Sequence, residues 1–185
     1  MSGQELERTF IHELFHILSR YNPELRKELY ALLGFAPCPE LVLPEKLNRL
    51  KITNPDACYM NYYFTVERSG NRLMMIPVLF SSSWYNEAQG GIFLDYLGLF
   101  LVSVRINGDR TEVIKDRRGY HIYPYMKIPE YKDLIFKNSD YIIHPEEILA
   151  DNFVLLFRKP EKDEINAPEL LEEMNALFRQ ADTFY

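Results

Sequence analysis

The chain has few cysteines and no apolar run long enough to cross a membrane. Cys38 and Cys58 are the two cysteines among 185 residues, and they form no Cys-x-x-Cys pair, so a disulfide framework is not expected. The most apolar run, "IFLDYLGLFLVSV", is short and contains Asp95. The first ten residues, "MSGQELERTF", are polar and acidic, unlike a secretory signal. We therefore expect a soluble, cytoplasmic protein.

The chain also lacks an excess of basic residues. Its formal net charge is −6 and its isoelectric point is about 5.3, whereas a protein that binds nucleic acid needs a basic face to neutralise phosphates. Neither a nucleic-acid partner nor a membrane partner is therefore expected. The length suits one hydrophobic core, so residues 1–185 are predicted to form a single domain.

The pattern of apolar residues predicts helices at both ends of the chain. Ser2 and Glu5 fit a capping box that opens a helix ending near Tyr21. The apolar residues of this helix keep helical spacing: Leu6, Phe10, Leu14, Ile17 and Leu18, with Ile11 and Phe15 widening the stripe. Asn22 is the predicted N-cap of a second helix, "PELRKELYALLGF". The segments "HPEEILADNFVLLFRK" and "APELLEEMNALFRQ" predict two further helices, the last one amphipathic.

Between these helices, residues 36–138 are predicted to form a loop and β-hairpin insert. Prolines punctuate its first part, where one helical turn is expected at residues 45–50. Two hairpins follow, turning at residues 69–71 and 107–109, and a looser segment, "SSSWYNEAQGGIFLDY", joins them. The predicted fold class is therefore α+β, with an antiparallel β portion between terminal helices.

His12, Glu13 and His16 form the pattern His-Glu-x-x-His on the first helix. Residues four apart lie on the same helix face, so both imidazoles can reach one metal ion. Neutral imidazole nitrogens suit zinc, and a catalytic zinc site uses three protein ligands and a water molecule. Glu13 would face that water, accept its proton and return the proton to a leaving amine. This pattern on a helix is the signature of zinc metalloproteases. A second interpretation, in which the histidines are the polar edge of an ordinary helix, needs no metal.

A third ligand is predicted far downstream, in "YIIHPEEILADNF". Glu147 and Asp151 are also four residues apart on one helix face, within an otherwise apolar segment. Glu147 is the candidate ligand, and Asp151 is the candidate acceptor for the far nitrogen of a ligating histidine. Buried carboxylates without partners are costly, so a metal ion and a histidine would explain both. The helix dipole also favours Glu146 and Glu147 in a first turn without any metal.

Together, His12-Glu13-x-x-His16 and Glu147-x-x-x-Asp151 resemble the gluzincin class of zinc metallopeptidases, of which thermolysin is a familiar member. They are similar also to uncharacterised bacterial metallopeptidases with a segment like "HPEEILADNF". The resemblance covers two short helices and not the β portion between them. It implies zincin-like active-site helices that hold Zn²⁺ through His12, His16 and Glu147. It also implies Glu13 as general base and Asp151 as support for a ligating histidine.

The chain departs from the thermolysin-type arrangement in the length of its insert and in the early position of the active-site helix. The substrate-binding sheet is therefore expected either from the downstream hairpins or from a segment preceding this sequence. An oxyanion stabiliser is also expected, because the tetrahedral intermediate of peptide hydrolysis is negatively charged. The chemically able candidates are His144, Tyr141, His121 and Tyr123.

The leading functional prediction is a zinc metallopeptidase that cleaves a peptide or protein substrate through a metal-bound water, with Glu13 as general base. One alternative is a zinc-binding but proteolytically inactive domain that regulates or binds another protein. A third is an α+β interaction module without metal. Metal content separates the third from the first two, and a Glu13 variant separates the first from the second.

Overall fold

The computed structural model describes residues 2–68, 70–81, 93–135, 137–158 and 165–181. The predicted α+β class is confirmed, with six helices in the described ranges. They are α1 (Gly3–Tyr21), α2 (Pro23–Leu32), α3 (Glu45–Asn48), α4 (Pro129–Ile135), α5 (Pro145–Arg158) and α6 (Pro168–Ala181). Within these ranges, no helix combines the length and the apolar character needed to span a bilayer. Most of the predicted looser segment, including Trp84, and Ser69 of the first hairpin turn lie outside the described residues.

Ten strands are described, several of them only two residues long. They are β1 (Ala36–Pro37), β2 (Leu41–Val42), β3 (Lys51–Ile52), β4 (Tyr62–Arg68), β5 (Asn71–Ser81), β6 (Leu97–Asn107), β7 (Arg110–Val113), β8 (Lys115–Asp116), β9 (Gly119–Tyr120) and β10 (Ile122–Pro124). The chain divides into two compact units. Unit 1 comprises Met1–Ala36 and Lys132–Tyr185, and unit 2 comprises Pro37–Tyr131.

Unit 2 is built on a largely antiparallel sheet in which β5 and β6 are the long central pair and β2 pairs in parallel with β7. The strand order is β1-β4-β5-β6-β7-β2, with β3 paired to β5 and β10 paired to β6. Both predicted hairpins are present as β4–β5 and β6–β7, and Gly108 at φ +62° forms the second turn. The proline-rich start of the insert contains the expected helical turn as α3, and its short pieces β2 and β3, which were not predicted, pair with β7 and β5. One face of the sheet buries an apolar cluster: Leu41, Ile76, Val78, Phe80, Val102 and Val104.

In unit 1, α1 packs against α2 and α5, and α6 packs against the same two helices. The inward face of α1 carries Ile11, Phe15 and Ser19, and the Phe15 ring lies 5.5 Å from the Phe153 ring of α5. The apolar stripe of the sequence is therefore divided between two faces, since Leu6 and most of its partners at helical spacing are exposed. An amphipathic pattern alone could not tell which part of the stripe would be covered.

Asn22 occupies the predicted position between α1 and α2, but its side chain does not cap α2. Its amide nitrogen instead donates to the Leu18 carbonyl at 2.9 Å, so it closes α1. Pro23 in the first turn of α2 has no N–H that requires capping, which frees the asparagine for this role. The chain thus turns sharply from α1 into α2, and this turn keeps both helices within unit 1.

A buried asparagine of α5 connects the remaining parts of unit 1. The Asn152 amide nitrogen donates to the Lys137 and Ile148 carbonyls, and its oxygen accepts from the Asn138 amide. Asn138 has a left-handed backbone at φ +61° and exchanges two hydrogen bonds with the backbone of Ala167, directly before α6. These contacts fix the segment that enters α5, and α5 carries three of the carboxylates described below.

Candidate metal centre

Helix α1 places His12 and His16 one turn apart on a single face. The capping box predicted for its start is present: Ser2 Oγ accepts from the Glu5 N–H at 3.3 Å, and a Glu5 carboxylate oxygen accepts from the Ser2 N–H at 2.6 Å. The two imidazole centroids are 4.8 Å apart, with their planes at 82°. The His16 side chain is 3% exposed and the His12 side chain 18% exposed, so His12 is the more accessible of the two.

The first turn of α5 supplies two buried carboxylates. Pro145 opens the helix, and His144 lies immediately before it. The His144 imidazole Nδ1 accepts from the Glu146 N–H at 3.1 Å, and the His144 carbonyl accepts from the Glu147 N–H at 3.2 Å. Both glutamates are only 3% exposed. Burial of two neighbouring carboxylates is expensive unless positive charge or hydrogen-bond donors face them, and the histidines of α1 do so.

The three predicted ligands converge. Glu147 Oε2 lies 3.2 Å from His12 Nε2 and 3.8 Å from His16 Nε2. One donor atom from each of the three residues lies within 4.8 Å of the other two. In a tetrahedral zinc site with metal–ligand distances near 2.0–2.1 Å, neighbouring ligand atoms are about 3.3 Å apart. The observed triangle therefore needs only a small contraction to surround one metal ion.

The far nitrogen of each histidine meets a different carboxylate. His12 Nδ1 lies 3.3 Å from Asp151 Oδ1, and His16 Nδ1 lies 3.0 Å from Glu146 Oε1. A carboxylate at Nδ1 holds the proton on that nitrogen and leaves Nε2 as the atom that can ligate a metal. Both rings therefore direct Nε2 toward Glu147. This is the arrangement in which histidine ligands are usually oriented by a second layer of acceptors.

The Asp151 carboxylate is held from two further directions. Ser139 Oγ donates to Asp151 Oδ2 at 2.6 Å, and Arg8 Nη2 lies 3.3 Å from Asp151 Oδ1. Burial alone would raise the pKa of Asp151, but the hydrogen bonds from His12 and Ser139 and the charge of Arg8 outweigh it, so the pKa is lowered. Asp151 is therefore ionised and available as an acceptor for His12 at neutral pH.

The Glu146 carboxylate has a similar set of donors, all of them buried. Ser19 Oγ donates to Glu146 Oε2 at 2.8 Å, the Tyr30 hydroxyl donates to the same oxygen, and Oε1 faces His16. Three donors from α1 and α2 thus meet one carboxylate of α5. This buried network fixes the plane of the His16 ring, because rotation of the ring would break its contact with Glu146.

The surroundings of the His16 Nε2 atom also point to a ligand. This atom is fully buried and has no hydrogen-bond partner within the described residues. A buried imidazole nitrogen without a partner costs free energy on the order of 1–3 kcal/mol, so its retention calls for a physical reason. With the proton on Nδ1, the lone pair of Nε2 points to the space beside Glu147. The donor set of two imidazoles and one carboxylate fits Zn²⁺.

Without a metal, protons stabilise the same cluster. The hydrogen bonds with Asp151 and Glu147 raise the pKa of His12 to about 9. For His16, burial lowers the pKa, but the hydrogen bond with Glu146 and the charge of Glu147 outweigh it, so its pKa is also raised. The cluster therefore attracts positive charge, either as protons on the imidazoles or as a divalent cation.

Glu13, the predicted general base, lies next to this cluster but outside its buried part. Its side chain is exposed, and a carboxylate oxygen lies within 4.8 Å of a ring nitrogen of His16. The position agrees with its place on the helix, since residue 13 projects to one side of the face shared by residues 12 and 16. Glu13 can thus contact a water molecule or substrate that approaches the histidines from solvent.

The candidates for oxyanion stabilisation lie in different environments. Tyr141 is exposed, and His144 is engaged at the start of α5 through its Nδ1. His121 and Tyr123 belong to unit 2, where His121 Nε2 lies 3.1 Å from Asp116 Oδ2. Of the four, Tyr141 and His144 therefore belong to the same unit as the ligand cluster.

Sequence reasoning missed the residues that support His16. Glu146 is interpreted from the sequence only as a first-turn acid, and Ser19 and Tyr30 are not singled out at all. One signal was available: a second ligating histidine needs its own acceptor, and Glu146 is the remaining carboxylate beside Glu147. Tyr30 comes from α2, so no spacing within either motif could have indicated it.

Comparisons with known proteins identified no similar protein. A scan against protein-family models, a search of curated proteins and a search of solved structures each gave no match to the chain. The functional argument therefore depends on the geometry of the cluster itself.

Changing Glu146 to glutamine is expected to weaken zinc binding roughly ten- to a hundredfold, the usual cost of losing a carboxylate that orients a histidine ligand. Glutamine keeps the shape but removes the charge, and its amide nitrogen cannot accept from Ser19, Tyr30 or His16. Zinc affinity is measured by competition with a chromogenic chelator, with circular dichroism to verify folding. The control is Glu169→Gln, a first-turn glutamate of α6 outside the cluster. A folded E146Q protein with wild-type zinc affinity would contradict the orienting role.

Proposed function

We propose that this protein is a zinc-dependent metallopeptidase of the gluzincin type, with His12, His16 and Glu147 as zinc ligands and Glu13 as general base. One observation carries the proposal: two imidazole Nε2 atoms converge on one Glu147 oxygen while each Nδ1 is held by a separate carboxylate. A salt-bridge cluster alone would not explain why His16 Nε2 is buried with no hydrogen-bond partner in the part of the chain that the structure describes. A zinc ligand set accounts for all of these features together.

A bound zinc ion would supply Lewis-acid activation of a water molecule and of a substrate carbonyl. The chain's own residues handle the proton. As the water oxygen attacks the carbonyl carbon, a Glu13 carboxylate oxygen accepts the water proton. Glu13 then delivers this proton to the amide nitrogen as the carbon–nitrogen bond breaks, so the amine leaves in its neutral form. The exposure of Glu13 and its closeness to His16 support this role.

Asp151 and Glu146 position the ligands and take no part in the proton transfer. Each binds the Nδ1 of one histidine and thereby fixes the direction of Nε2. Fixed ligands mean that little reorganisation is needed when charge develops in the transition state, which is the usual source of electrostatic catalysis. The proposed substrate is a peptide or protein. The proposed compartment is the cytoplasm, in keeping with the unpaired Cys38 and Cys58.

A second candidate function is a zinc-binding domain without proteolytic activity. The observation in its favour is the burial of His16 and Glu147, at 3% and 4% side-chain exposure, which resembles the closed surroundings of a structural site. Such a domain would use the ion to join α1 to α5 and would regulate or bind another protein. This candidate shares the ligand set with the leading proposal and differs in the role of Glu13.

Metal analysis of the protein purified without added zinc is expected to give about one zinc per chain, as in a mononuclear site. Changing His12 to alanine should reduce this to near zero, because two remaining ligands hold zinc weakly. His12 is chosen because its partial exposure makes misfolding less of a concern. His121→Ala, a histidine of unit 2 that also faces an aspartate, is the matched control and should keep its zinc. Zinc retained in folded H12A, or no zinc binding by wild type, would refute the ligand assignment.

A further inference from the structure

Helix α1 has a second apolar face that unit 1 does not cover. Five large apolar side chains form it, and we name them the outer stripe: Leu6 is 61% exposed, Phe10 67%, Leu14 40%, Ile17 54% and Tyr21 80%. Their spacings of four, four, three and four residues place them in one line along the helix. The outer stripe lies on the opposite side of α1 from the buried Ile11, Phe15 and Ser19.

An exposed apolar stripe of this size indicates an interaction surface. Single exposed apolar residues are ordinary, but contiguous patches of several hundred Å² usually mark an interface. From their exposed fractions, the five side chains present on the order of 600 Å², compared with about 800 Å² per partner in a standard protein interface. Residues along the edges of the stripe would supply the remainder. The area is therefore close to what a stable complex requires.

The order of residues in the outer stripe favours a second copy of the same chain. The midpoint of Leu6 and Tyr21 in the sequence falls between residues 13 and 14, and the midpoint of Phe10 and Ile17 falls at the same place. In an antiparallel pair of α1 helices related by a two-fold axis at that point, Leu6 meets Tyr21 of the other copy and Phe10 meets Ile17. Leu14 meets its own counterpart near the axis. Such self-complementarity is the condition for a two-fold symmetric interface.

We propose that the outer stripe is the interface of a homodimer in which two α1 helices pack antiparallel. The inference does not depend on zinc binding, and the candidate ligands His12 and His16 lie on a different face of α1 from the outer stripe. In this pairing, each aromatic ring of one copy, Phe10 or Tyr21, faces an aliphatic side chain of the other copy. Two packed helices approach to about 8–10 Å between axes, which buries a stripe of this width.

The charges of α1 argue against a membrane surface as the occupant. Helices that lie on membranes carry many lysines and arginines on the polar face. Helix α1 has Glu5, Glu7 and Glu13 against Arg8 and Arg20, and Arg8 is already paired with Asp151. Anionic lipids would therefore gain no net attraction from this helix.

Sedimentation equilibrium of the purified protein is expected to show a dimer that weakens at least about tenfold in Phe10→Glu, because a charge would be buried at the interface. The matched control is Tyr59→Glu in unit 2, since Tyr59 is 65% exposed and Phe10 67%. This control should dimerise like wild type. A wild-type protein that stays monomeric at 200 μM, or an unchanged dimer in F10E, overturns the proposal. A monomer that binds phosphatidylserine vesicles through Phe10 also overturns it and identifies a membrane as the occupant.

Cross-linking tests the two-fold geometry separately. In a background with Cys38 and Cys58 changed to serine, Leu14→Cys should form an intermolecular disulfide on mild oxidation, because the two Leu14 positions face each other. Leu6→Cys should not, since the two copies of residue 6 would be about 20 Å apart along an antiparallel pair. Equal cross-linking of L6C and L14C would refute the antiparallel arrangement. Zinc content measured on the same samples shows whether any failure extends to the metal centre.

Discussion

Changing Glu13 to glutamine is expected to leave zinc in place and to reduce peptide hydrolysis by a factor of about 10² to 10⁴, the usual contribution of a positioned general base. Glutamine has nearly the shape of glutamate but cannot accept a proton, so the water proton has no acceptor and the leaving amine no donor. The exposed position of Glu13 means that the substitution leaves no buried polar group unsatisfied, and the fold should be unaffected. The readouts are kcat/KM on a fluorogenic peptide library and zinc content on the same preparation.

The matched control for this experiment is Glu7→Gln, an exposed glutamate of the same helix that lies on a different face of α1 from His12 and His16. It should retain wild-type activity. Unchanged cleavage by E13Q would eliminate the general-base role. If the zinc-loaded wild type cleaves no peptide, the inactive zinc-binding domain becomes the better description, because the two proposals share the ligand set and differ at Glu13.

Zinc is expected to stabilise the protein more strongly as the pH rises from 6.5 to 9. In the zinc-free protein, hydrogen bonds with Asp151 and Glu147 raise the folded-state pKa of His12 from 6.5 to about 9. Protonated His12 therefore stabilises the folded state fully below pH 6.5, and this stabilisation is lost as the pH rises through 9. The loss amounts to at most about 3 kcal/mol, from the size of the pKa shift. The raised pKa of His16 acts in the same direction.

Zinc bound at the proposed site is expected to reverse this trend, because a ligating imidazole must give up the proton on the ligating nitrogen. Binding at pH 7.5 should release about one proton from His12, with a further contribution from His16. The measurement is urea unfolding of EDTA-treated and zinc-buffered protein from pH 6 to 9, with calorimetric titration in buffers of different ionisation enthalpy. His12→Gln should reduce the decline in zinc-free stability above pH 6.5 to the part that His16 contributes, whereas His121→Gln should retain the full decline. A zinc-induced gain in stability that is the same at all pH values would contradict the proposed ligands.

The sequence predicted the local structure of the site well, because the relevant signals are local. The capping box at Ser2, the spacing of His12 and His16, and Pro145 at the start of α5 each act within a few residues. The helices that carry the candidate ligands therefore begin and end close to their predicted positions. The α+β class followed from the same kind of signal, since the change from helical to alternating patterns marks the insert.

The features that sequence reasoning missed depend on interactions between distant segments. Tyr30 reaches Glu146 from α2, a sequence separation of 116 residues, and no motif in either segment indicates that meeting. The exposed outer stripe is a similar case. Helical periodicity identifies apolar faces, but burial depends on what else in the chain is available to cover them. Unit 1 covers the side of Ile11 and Phe15 and leaves the side of Phe10 exposed.

The separation of the ligands in sequence also affects the order of events during synthesis. His12 and Glu147 are 135 residues apart, so the ribosome must add that whole length after the histidines before the third ligand exists. At about 5–20 residues per second, this takes on the order of 7 to 27 s. During this time α1, with its two histidines, is at or beyond the exit tunnel, and the carboxylates of α5 that face these histidines have not been synthesised. For the proposed zinc site, metal acquisition is therefore expected to be a late step of biogenesis, because a nascent chain arrested before α5 lacks the third candidate ligand.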